Sequence, residues 1–233
     1  MRDKISTGCP SIDRLLHGGL APGQLMLVYG EAGTGKTTFG LQTAIHAAKK
    51  GTRCMFVSCD GPAHAVRLEQ LMGTDDDDAA ASRLLLVQPD DFYEQSTFIE
   101  GLLPYLDKVR FVTVDSINRL YRLSITNLDQ ALVLNKDLNR QLAYLAEFAI
   151  QKELPILITS QVRSVIGNES LSKKIEPVAN RTLAYWSQTI MQLKTAPHPG
   201  DRLVFLEKLN GRKTQRLFCN VRITDEGIVD STG

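Results

Sequence analysis

The stretch Gly30-Glu31-Ala32-Gly33-Thr34-Gly35-Lys36-Thr37 fills the pattern G-x-x-x-x-G-K-[ST] at every position. Glycines let a backbone turn so that its N–H groups face phosphate oxygens. Lys36 is placed to reach the β and γ phosphates of a nucleotide, and the Thr37 hydroxyl is placed to ligate Mg²⁺. The stretch therefore predicts a site for ATP and Mg²⁺. The predicted nucleotide-binding residues are Gly30, Glu31, Ala32, Gly33, Thr34, Gly35, Lys36, Thr37 and Thr38.

The flanks of this stretch agree with that prediction. The apolar run Leu25–Tyr29 follows Pro22-Gly23 and reads as a buried strand. After the stretch, apolar residues recur at helical spacing from Leu41 to Ala48, and Gly51 gives a helix stop. A strand before the loop and a helix after it are what a phosphate loop requires, because the helix N-terminus attracts the anion. A glycine-rich turn without a ligand is the alternative.

Further along the chain, short apolar runs alternate with helical segments. Continuous apolar runs are typical of parallel strands that are covered by helices on both faces. A long helix is predicted from about Leu128 to Lys152, ended by Pro155. The C-terminal third alternates more and contains Pro-Gly and Asn-Gly turns, which favour antiparallel hairpins. The predicted fold class is therefore α/β, with a mostly parallel sheet, flanking helices and antiparallel C-terminal strands. The predicted strand runs are Leu25–Tyr29, Cys54–Ser58, Leu84–Gln88, Phe111–Asp115, Ile156–Ser160, Thr189–Lys194, Leu203–Leu209 and Leu217–Ile223.

Composition excludes several classes of protein. The chain has 233 residues, 43% of them hydrophobic, so wholesale disorder is excluded. Its net charge of +1 argues against a uniformly basic DNA-coating protein. Apolar runs stay far below the ~20 residues that span a bilayer, and the N-terminus has no signal-peptide core. The four cysteines form no CxxC pair, so a reducing cytoplasm is the expected compartment and a disulfide framework is not expected.

Two polar residues follow predicted strands. Asp115 ends the run Phe111–Val114, where a carboxylate can hold the water shell of Mg²⁺ opposite the phosphate loop. Gln161 follows Ile156–Ser160, where an amide could contact a γ-phosphate and report its loss to the next segment. Thr37 and Asp115 are thus the predicted metal ligands. For Gln161, a strand-end cap is the alternative.

Together these residues resemble the RecA/RadA recombinase superfamily, and most closely its archaeal RadB branch. The opening Ile5-Ser6-Thr7-Gly8, the segment Val114-Asp115-Ser116-Ile117 and the triplet Ser160-Gln161-Val162 are similar to that family's motifs. So are Glu176-Pro177-Val178-Ala179 and the closing Arg222-Ile223-Thr224. The resemblance covers nearly the whole chain and implies a RecA-like ATPase core. The phosphate loop is shared by many ATPases, whereas the later motifs are more specific.

The resemblance also implies a catalytic set, with one departure. In the family, a segment such as Asp-Thr-Glu-Gly supplies a Glu that activates the attacking water; here the matching segment is Ser58-Cys59-Asp60-Gly61. Asp60 keeps the charge, but its carboxylate is one methylene, roughly 1.5 Å, shorter. A misplacement of ~1 Å can cost on the order of 100-fold in rate. The predicted catalytic residues are Asp60, Lys36 and Gln161, with slow turnover; a turn residue is the alternative for Asp60.

Basic residues concentrate in the C-terminal third. Between Gln161 and Arg222 there are eleven basic and four acidic residues, in a chain of net charge +1. A one-sided field of this kind suits a phosphate backbone. The family's DNA-contacting loops correspond to the segments after Asp115 and after Gln161, whereas scattered solvated cations are the alternative. The predicted DNA-binding residues are Arg119, Arg122, Arg163, Lys173 and Lys174, and Lys208 and Arg212 are predicted to reach a neighbouring subunit's ATP.

The leading hypothesis is an ATP-binding and DNA-binding accessory protein of homologous recombination and DNA repair, in which ATP acts as a switch. The resemblance implies RadA recombinase as partner, together with a Holliday-junction resolvase and a homo-oligomer. Only 29 residues precede Gly30, so a single core domain over residues 1–233, without a helix-hairpin-helix domain, is expected. The alternatives are a DNA-stimulated ATPase or KaiC-like phosphotransferase, and an interaction module whose loop only stabilises the fold. KaiC-type proteins carry two adjacent glutamates where this chain has Cys59-Asp60, which disfavours that alternative.

Overall fold

The computed structural model describes residues 3–61, 65–73, 78–164, 175–177 and 180–231. Most of the chain alternates between strands and helices, and the last third is mainly β-structure. The strands are β1 (Leu25–Gly30), β2 (Cys54–Ser58), β3 (Leu84–Val87), β4 (Phe111–Asp115), β5 (Ile156–Ser164), β6 (Ile175–Pro177), β7 (Thr189–Thr195), β8 (Asp201–Leu209), β9 (Arg212–Thr224) and β10 (Gly227–Asp230). The helices are α1 (Pro10–Leu15), α2 (Lys36–Lys49), α3 (Ala65–Met72), α4 (Asp78–Ala81), α5 (Phe92–Glu100), α6 (Arg119–Ser124), α7 (Leu128–Lys152) and α8 (Asn180–Trp186), with a 3-10 turn at Leu103–Asp107.

One twisted sheet organises the molecule. Its strand order is β10-β9-β8-β7-β1-β5-β4-β2-β3, with β6 paired to β5. The strands from β7 through β3 along this order are parallel, whereas β7, β8, β9 and β10 pair antiparallel. The α/β class, the mostly parallel sheet and the antiparallel C-terminal strands predicted from the sequence are therefore confirmed.

Helices cover both faces of the parallel half. On one face, α5 and α7 bury Ile99, Leu142 and Leu145 against β1, β4 and β5. On the other face, α1 and α2 bury Ile12 and Phe39 against the same strands. Because β1 and β4 are buried at every residue, their side chains contribute to both cores. This layering explains why their sequences are continuous apolar runs.

The helix termini agree with the sequence signals. The predicted helix Leu128–Lys152 is α7, which starts where the amide of Gln130 donates to Asn127 Oδ1 at 2.9 Å. It ends at Glu153, which takes a left-handed conformation with φ of 47°, two residues before Pro155. None of the described helices is long and apolar enough to cross a membrane.

One expectation about the strands is wrong. The run Leu84–Gln88 was expected to be covered on both faces, but in β3 Leu85 is 47% and Leu86 57% exposed. The reason is position, since β3 ends the sheet order and β2 is its neighbour. An apolar run alone does not distinguish an edge strand from a central one.

Candidate functional site

The glycine-rich loop lies between β1 and α2, at the carboxyl edge of the parallel sheet. Gly33 and Gly35 take φ values of 74° and 98°, which L side chains rarely adopt. A Cβ on Gly30 would lie 2.4 Å from the carbonyl oxygen of Leu193, so the loop also needs glycine where it passes β7. Gly35 caps α2 without any side-chain hydrogen bond, which leaves the first N–H groups of the helix for an anion.

Lys36 points into this loop. Its residue is 6% exposed, and Nζ donates to the carbonyl oxygen of Glu31 at 2.7 Å. Burial lowers the pKa of Lys36, while the carboxylates of Asp115 and Asp60 act in the opposite direction and Arg122 adds to the lowering. An ammonium held by a loop carbonyl and near two carboxylates is suited to bind the phosphates of a nucleotide.

Asp115 lies opposite the loop, at the end of β4. Its Oδ2 accepts a hydrogen bond from the Thr37 hydroxyl at 2.7 Å, and its Oδ1 accepts one from the Thr159 hydroxyl on β5. Asp115 is 1% exposed, so these hydroxyls satisfy a buried carboxylate. The two residues predicted to ligate the metal are therefore in contact.

This donor set fits a nucleotide with Mg²⁺. Mg²⁺ usually binds one or two carboxylates together with substrate phosphates and waters, and the adjacent oxygens of Thr37 and Asp115 provide that arrangement. Among the described residues no cluster of three or more His, Cys, Asp or Glu side chains could hold a metal. Oxygens of a bound phosphate and of waters would complete the coordination.

Asp60 follows β2, whose last residue Ser58 pairs with Asp115 in the sheet register. The Asp60 side chain is 14% exposed, and its Oδ1 lies 3.3 Å from Nε of Arg119. The Ser116 hydroxyl donates to the same oxygen at 3.4 Å. Asp60 is thus close enough to Lys36 to influence its pKa, and it is also ion-paired with the first residue of α6.

Gln161 lies on β5 and pairs with Gly30 in the register of the sheet. Its Oε1 accepts a hydrogen bond from Nη2 of Arg122, and its carbonyl oxygen accepts one from Asn118 at 3.4 Å. Two of the predicted DNA-binding arginines, Arg119 and Arg122, therefore contact two of the predicted catalytic residues. Neither pair follows from the sequence alone.

The other three predicted DNA-binding residues follow Gln161 in the chain. Arg163 lies on β5, where its backbone pairs with Glu176 of β6. Lys173 and Lys174 lie outside the described residues.

Lys208 and Arg212 flank the turn between β8 and β9, as expected from the sequence. Lys208 Nζ donates to the carbonyl oxygens of Ala184 and Ser187 at the end of α8, at 3.1 and 2.6 Å. Burial lowers the pKa of Lys208. Arg212 is exposed. Within this chain, Lys208 therefore stabilises the end of α8, whereas the exposed Arg212 lies at the start of β9.

Three contacts near the site were missed by sequence reasoning. Thr159 completes the environment of Asp115, Arg202 Nη2 donates to the carbonyl oxygen of Gly33 at 3.0 Å, and Arg67 Nε donates to the Thr38 hydroxyl at 3.2 Å. Arg202 lies on β8 and Arg67 on α3, so neither is close to the loop in sequence. Of these three residues, only Thr159 could have been suggested by the sequence, because it lies near the end of the apolar run Ile156–Ser160.

The sequence is similar to those of known ATPases and recombination proteins. The profile of the family described as "ATPase: KaiC" matches residues 5–230. The chain is 36% identical to the DNA repair and recombination protein RadB of Thermococcus kodakarensis, over 97% of this chain and 99% of that protein. It is 31% identical to RadB of Methanothermobacter thermautotrophicus, over 94% of this chain and 93% of that protein.

A solved structure of the same family is similar to this chain in fold. A crystal structure of the RadB recombinase superposes with a TM-score of 0.79 at 34% identity, covering 97% of this chain and 99% of that chain. The similarity thus extends over the phosphate loop, the Asp115 strand and the C-terminal hairpins. The chain therefore belongs to the RadB family of DNA repair and recombination proteins, within the KaiC-type ATPases.

Proposed function

We propose that the protein is an ATP-binding and DNA-binding accessory protein of homologous recombination and DNA repair, in which ATP acts as a switch and hydrolysis is weak. The observation that carries this proposal is the contact between the two sites. Arg119 and Arg122 of α6, the residues proposed to bind DNA, touch Asp60 and Gln161 beside the phosphate loop. A nucleotide that moved either partner would change the arginines available to DNA.

Within this proposal, Lys36 and the loop amides bind the phosphates, and Thr37 and Asp115 hold Mg²⁺. Bound Mg²⁺ would supply charge neutralisation on the phosphates. Asp60 would orient the attacking water, and Gln161 would contact the γ-phosphate. Two features support slow turnover: the carboxylate of Asp60 is one methylene shorter than that of Glu, and it is already engaged by Arg119 and Ser116.

The proposal includes partners and assembly. RadA recombinase and a Holliday-junction resolvase are the proposed protein partners, and a single RecA-like core domain in a reducing cytoplasm is the proposed setting. In a homo-oligomer with ATP at the subunit interface, exposed Arg212 would contact the neighbour's nucleotide; Lys208 would first have to leave two carbonyl oxygens of α8.

The test is ATP binding and ATP turnover, each measured with and without single-stranded DNA. Lys36→Ala is expected to abolish ATP binding, because it removes the buried cation of the loop. Lys50→Ala is the matched control, since Lys50 is exposed beyond the other end of the same helix. Tight ATP binding with slow turnover in the wild type is the expected result. Failure of the wild type to bind ATP or DNA would overturn the proposal.

The alternatives give different outcomes in the same experiment. Strong acceleration by DNA would identify a DNA-stimulated ATPase, and transfer of labelled phosphate to the protein would identify a KaiC-like phosphotransferase. If DNA and partner binding survive in Lys36→Ala unchanged, the loop stabilises the fold and the protein is an interaction module. ATP would in that case stabilise whichever state binds it.

A further inference from the structure

We propose that Asp60 withholds Arg119 from DNA, so that a carboxylate of the nucleotide site sets how many phosphates the protein can contact. This inference rests on the proposed function, because it assumes that the protein binds single-stranded DNA. The observation behind it is the ion pair between Asp60 Oδ1 and Arg119 Nε, at 3.3 Å.

The environment of the pair holds one partner in place and leaves the other accessible. The Asp60 side chain is 14% exposed and also accepts the Ser116 hydroxyl, so its carboxylate is held in one position. The Arg119 side chain is 40% exposed, so its guanidinium is accessible from solvent. A partly buried pair is screened by salt less than a fully exposed one. A phosphate can therefore approach Arg119, but it must compete with Asp60.

The competition follows from the chemistry of the guanidinium group. Its donors form a planar fork that matches a carboxylate or a phosphate, and both ligands seek the same donors. Binding of a DNA phosphate to Arg119 therefore weakens the ion pair with Asp60, and that ion pair weakens binding of the phosphate. Such coupling between two sites is reciprocal. Arg122 is the second arginine of α6, and its guanidinium is also engaged, because it donates to Gln161.

The experiment measures binding of the nucleotide-free protein to a fluorescein-labelled oligodeoxythymidylate by anisotropy, over a series of salt concentrations. Asp60→Asn keeps the shape of the side chain and removes its charge. We expect affinity to rise about twofold to fivefold, the range for releasing one partly exposed ion pair. The slope of log K against log salt should steepen by about 0.7, the value for one more phosphate contact on a single strand.

Asp107→Asn is the matched control. It makes the same charge change and breaks the Asp107–Lys152 pair, at 2.6 Å, at the opposite end of the parallel strands. Its affinity and salt slope should stay at the wild-type values. The double variant Asp60→Asn/Arg119→Ala should lose the gain, and Arg119→Ala should cost more affinity in the Asp60→Asn background than in the wild type. Thermal denaturation of each variant verifies that it is folded.

The outcomes separate this inference from the proposed function. If the wild type binds the oligonucleotide but Asp60→Asn changes neither affinity nor slope, the inference is wrong and the proposed function stands. If Asp107→Asn gives the same gain, the effect is a general change in net charge, and the inference is likewise overturned. If the wild type binds no DNA at any salt concentration, the proposed function fails first.

Discussion

At the residue scale, Asp115 is the carboxylate that contacts Thr37 at the proposed nucleotide site. It is buried at the end of β4, and its two oxygens accept from hydroxyls on either side, Thr37 of the phosphate loop and Thr159 of β5. A carboxylate can accept all of these bonds and still attract a cation, whereas an amide would turn a donor toward one of the hydroxyls. Under the proposed function, its charge would therefore matter for metal binding, and its acceptor pattern matters for stability.

We expect Asp115→Asn to remove the Mg²⁺-dependent part of ATP affinity and to lower the free energy of unfolding by about 1–3 kcal/mol, because a buried acceptor is replaced by a donor. Titration calorimetry with ATP, in the presence and absence of Mg²⁺, measures the first effect. Thr113→Val on the same strand is the control, since the buried Thr113 hydroxyl has no hydrogen-bond partner among the described residues. Retained Mg²⁺ dependence in Asp115→Asn would place the metal elsewhere.

At the scale of elements, the last strand stabilises the first helix. The N-terminus of α1 has no cap from its own N-cap residue, Cys9. Asp230 of β10 supplies it instead, accepting from the Ser11 amide at 2.9 Å and from Cys9 Sγ at 3.2 Å, with Arg14 at 3.7 Å. A carboxylate at a helix N-terminus interacts favourably with the helix dipole. The two ends of the chain are therefore joined by one side chain.

The charge of Asp230 makes this contact pH-dependent. Burial acts to raise the pKa of Asp230, but the hydrogen bonds from Ser11 and Cys9 and the charge of Arg14 outweigh it and hold the pKa below its ordinary value. A carboxylate with a lowered pKa in the folded state contributes stability that is present above its unfolded pKa of about 3.9 and is lost as the pH falls through the folded pKa.

Asp230→Asn should therefore cost about 1 kcal/mol of unfolding free energy at neutral pH, a typical value for a helix cap. The cost should shrink on acidification, because the wild-type carboxylate becomes protonated there. Urea denaturation at a series of pH values measures both effects. Asp90→Asn, an exposed residue before α5, carries the same charge change and should leave the curve unaltered. A cost for Asp230→Asn that is independent of pH would show that the charge plays no part.

Over the whole molecule, burial divides the sheet into two parts. The parallel strands β1, β4 and β5 lie in the centre with helices on both faces, whereas the hairpin of β8 and β9 carries exposed residues, including Phe218 at 56%. Local opening needs less free energy where few apolar contacts are lost. The phosphate loop thus follows a strand of the more buried part, whereas the hairpin of β8 and β9 belongs to the less buried part.

Native-state hydrogen exchange should separate these parts. We expect the amides of β1, β4 and β5 to exchange only through global unfolding, and those of residues 209–215 at the hairpin tip to exchange faster through local opening. Mass spectrometry of peptides from each segment measures the rates, with a denaturant series to identify the global limit. Equal protection of the tip and the central strands would contradict this division.

Much of this architecture could be predicted because its signals are local. The bounds of α7 and β2 follow from apolar periodicity and from breakers such as Pro155, and the loop from Gly30 to Thr37 is a contiguous pattern. The exposure of β3 could not be predicted, because an apolar run does not reveal which strand ends the sheet. The roles of Arg67 and Arg202 could not be predicted either, since both reach the loop from distant segments.

The amino-acid sequence alone determined the α/β class and the phosphate loop, and it placed Thr37 and Asp115 at one edge of the sheet, because residues that directly end strands or start a helix meet there. Only the tertiary structure decided which partners the charged groups find. Asp60 forms an ion pair with Arg119, and Gln161 accepts a hydrogen bond from Arg122. Lys208 donates to a carbonyl oxygen of α8. Side-chain ion pairs and hydrogen bonds of this kind join segments that are far apart in the chain, and their geometry depends on how the helices pack on the sheet.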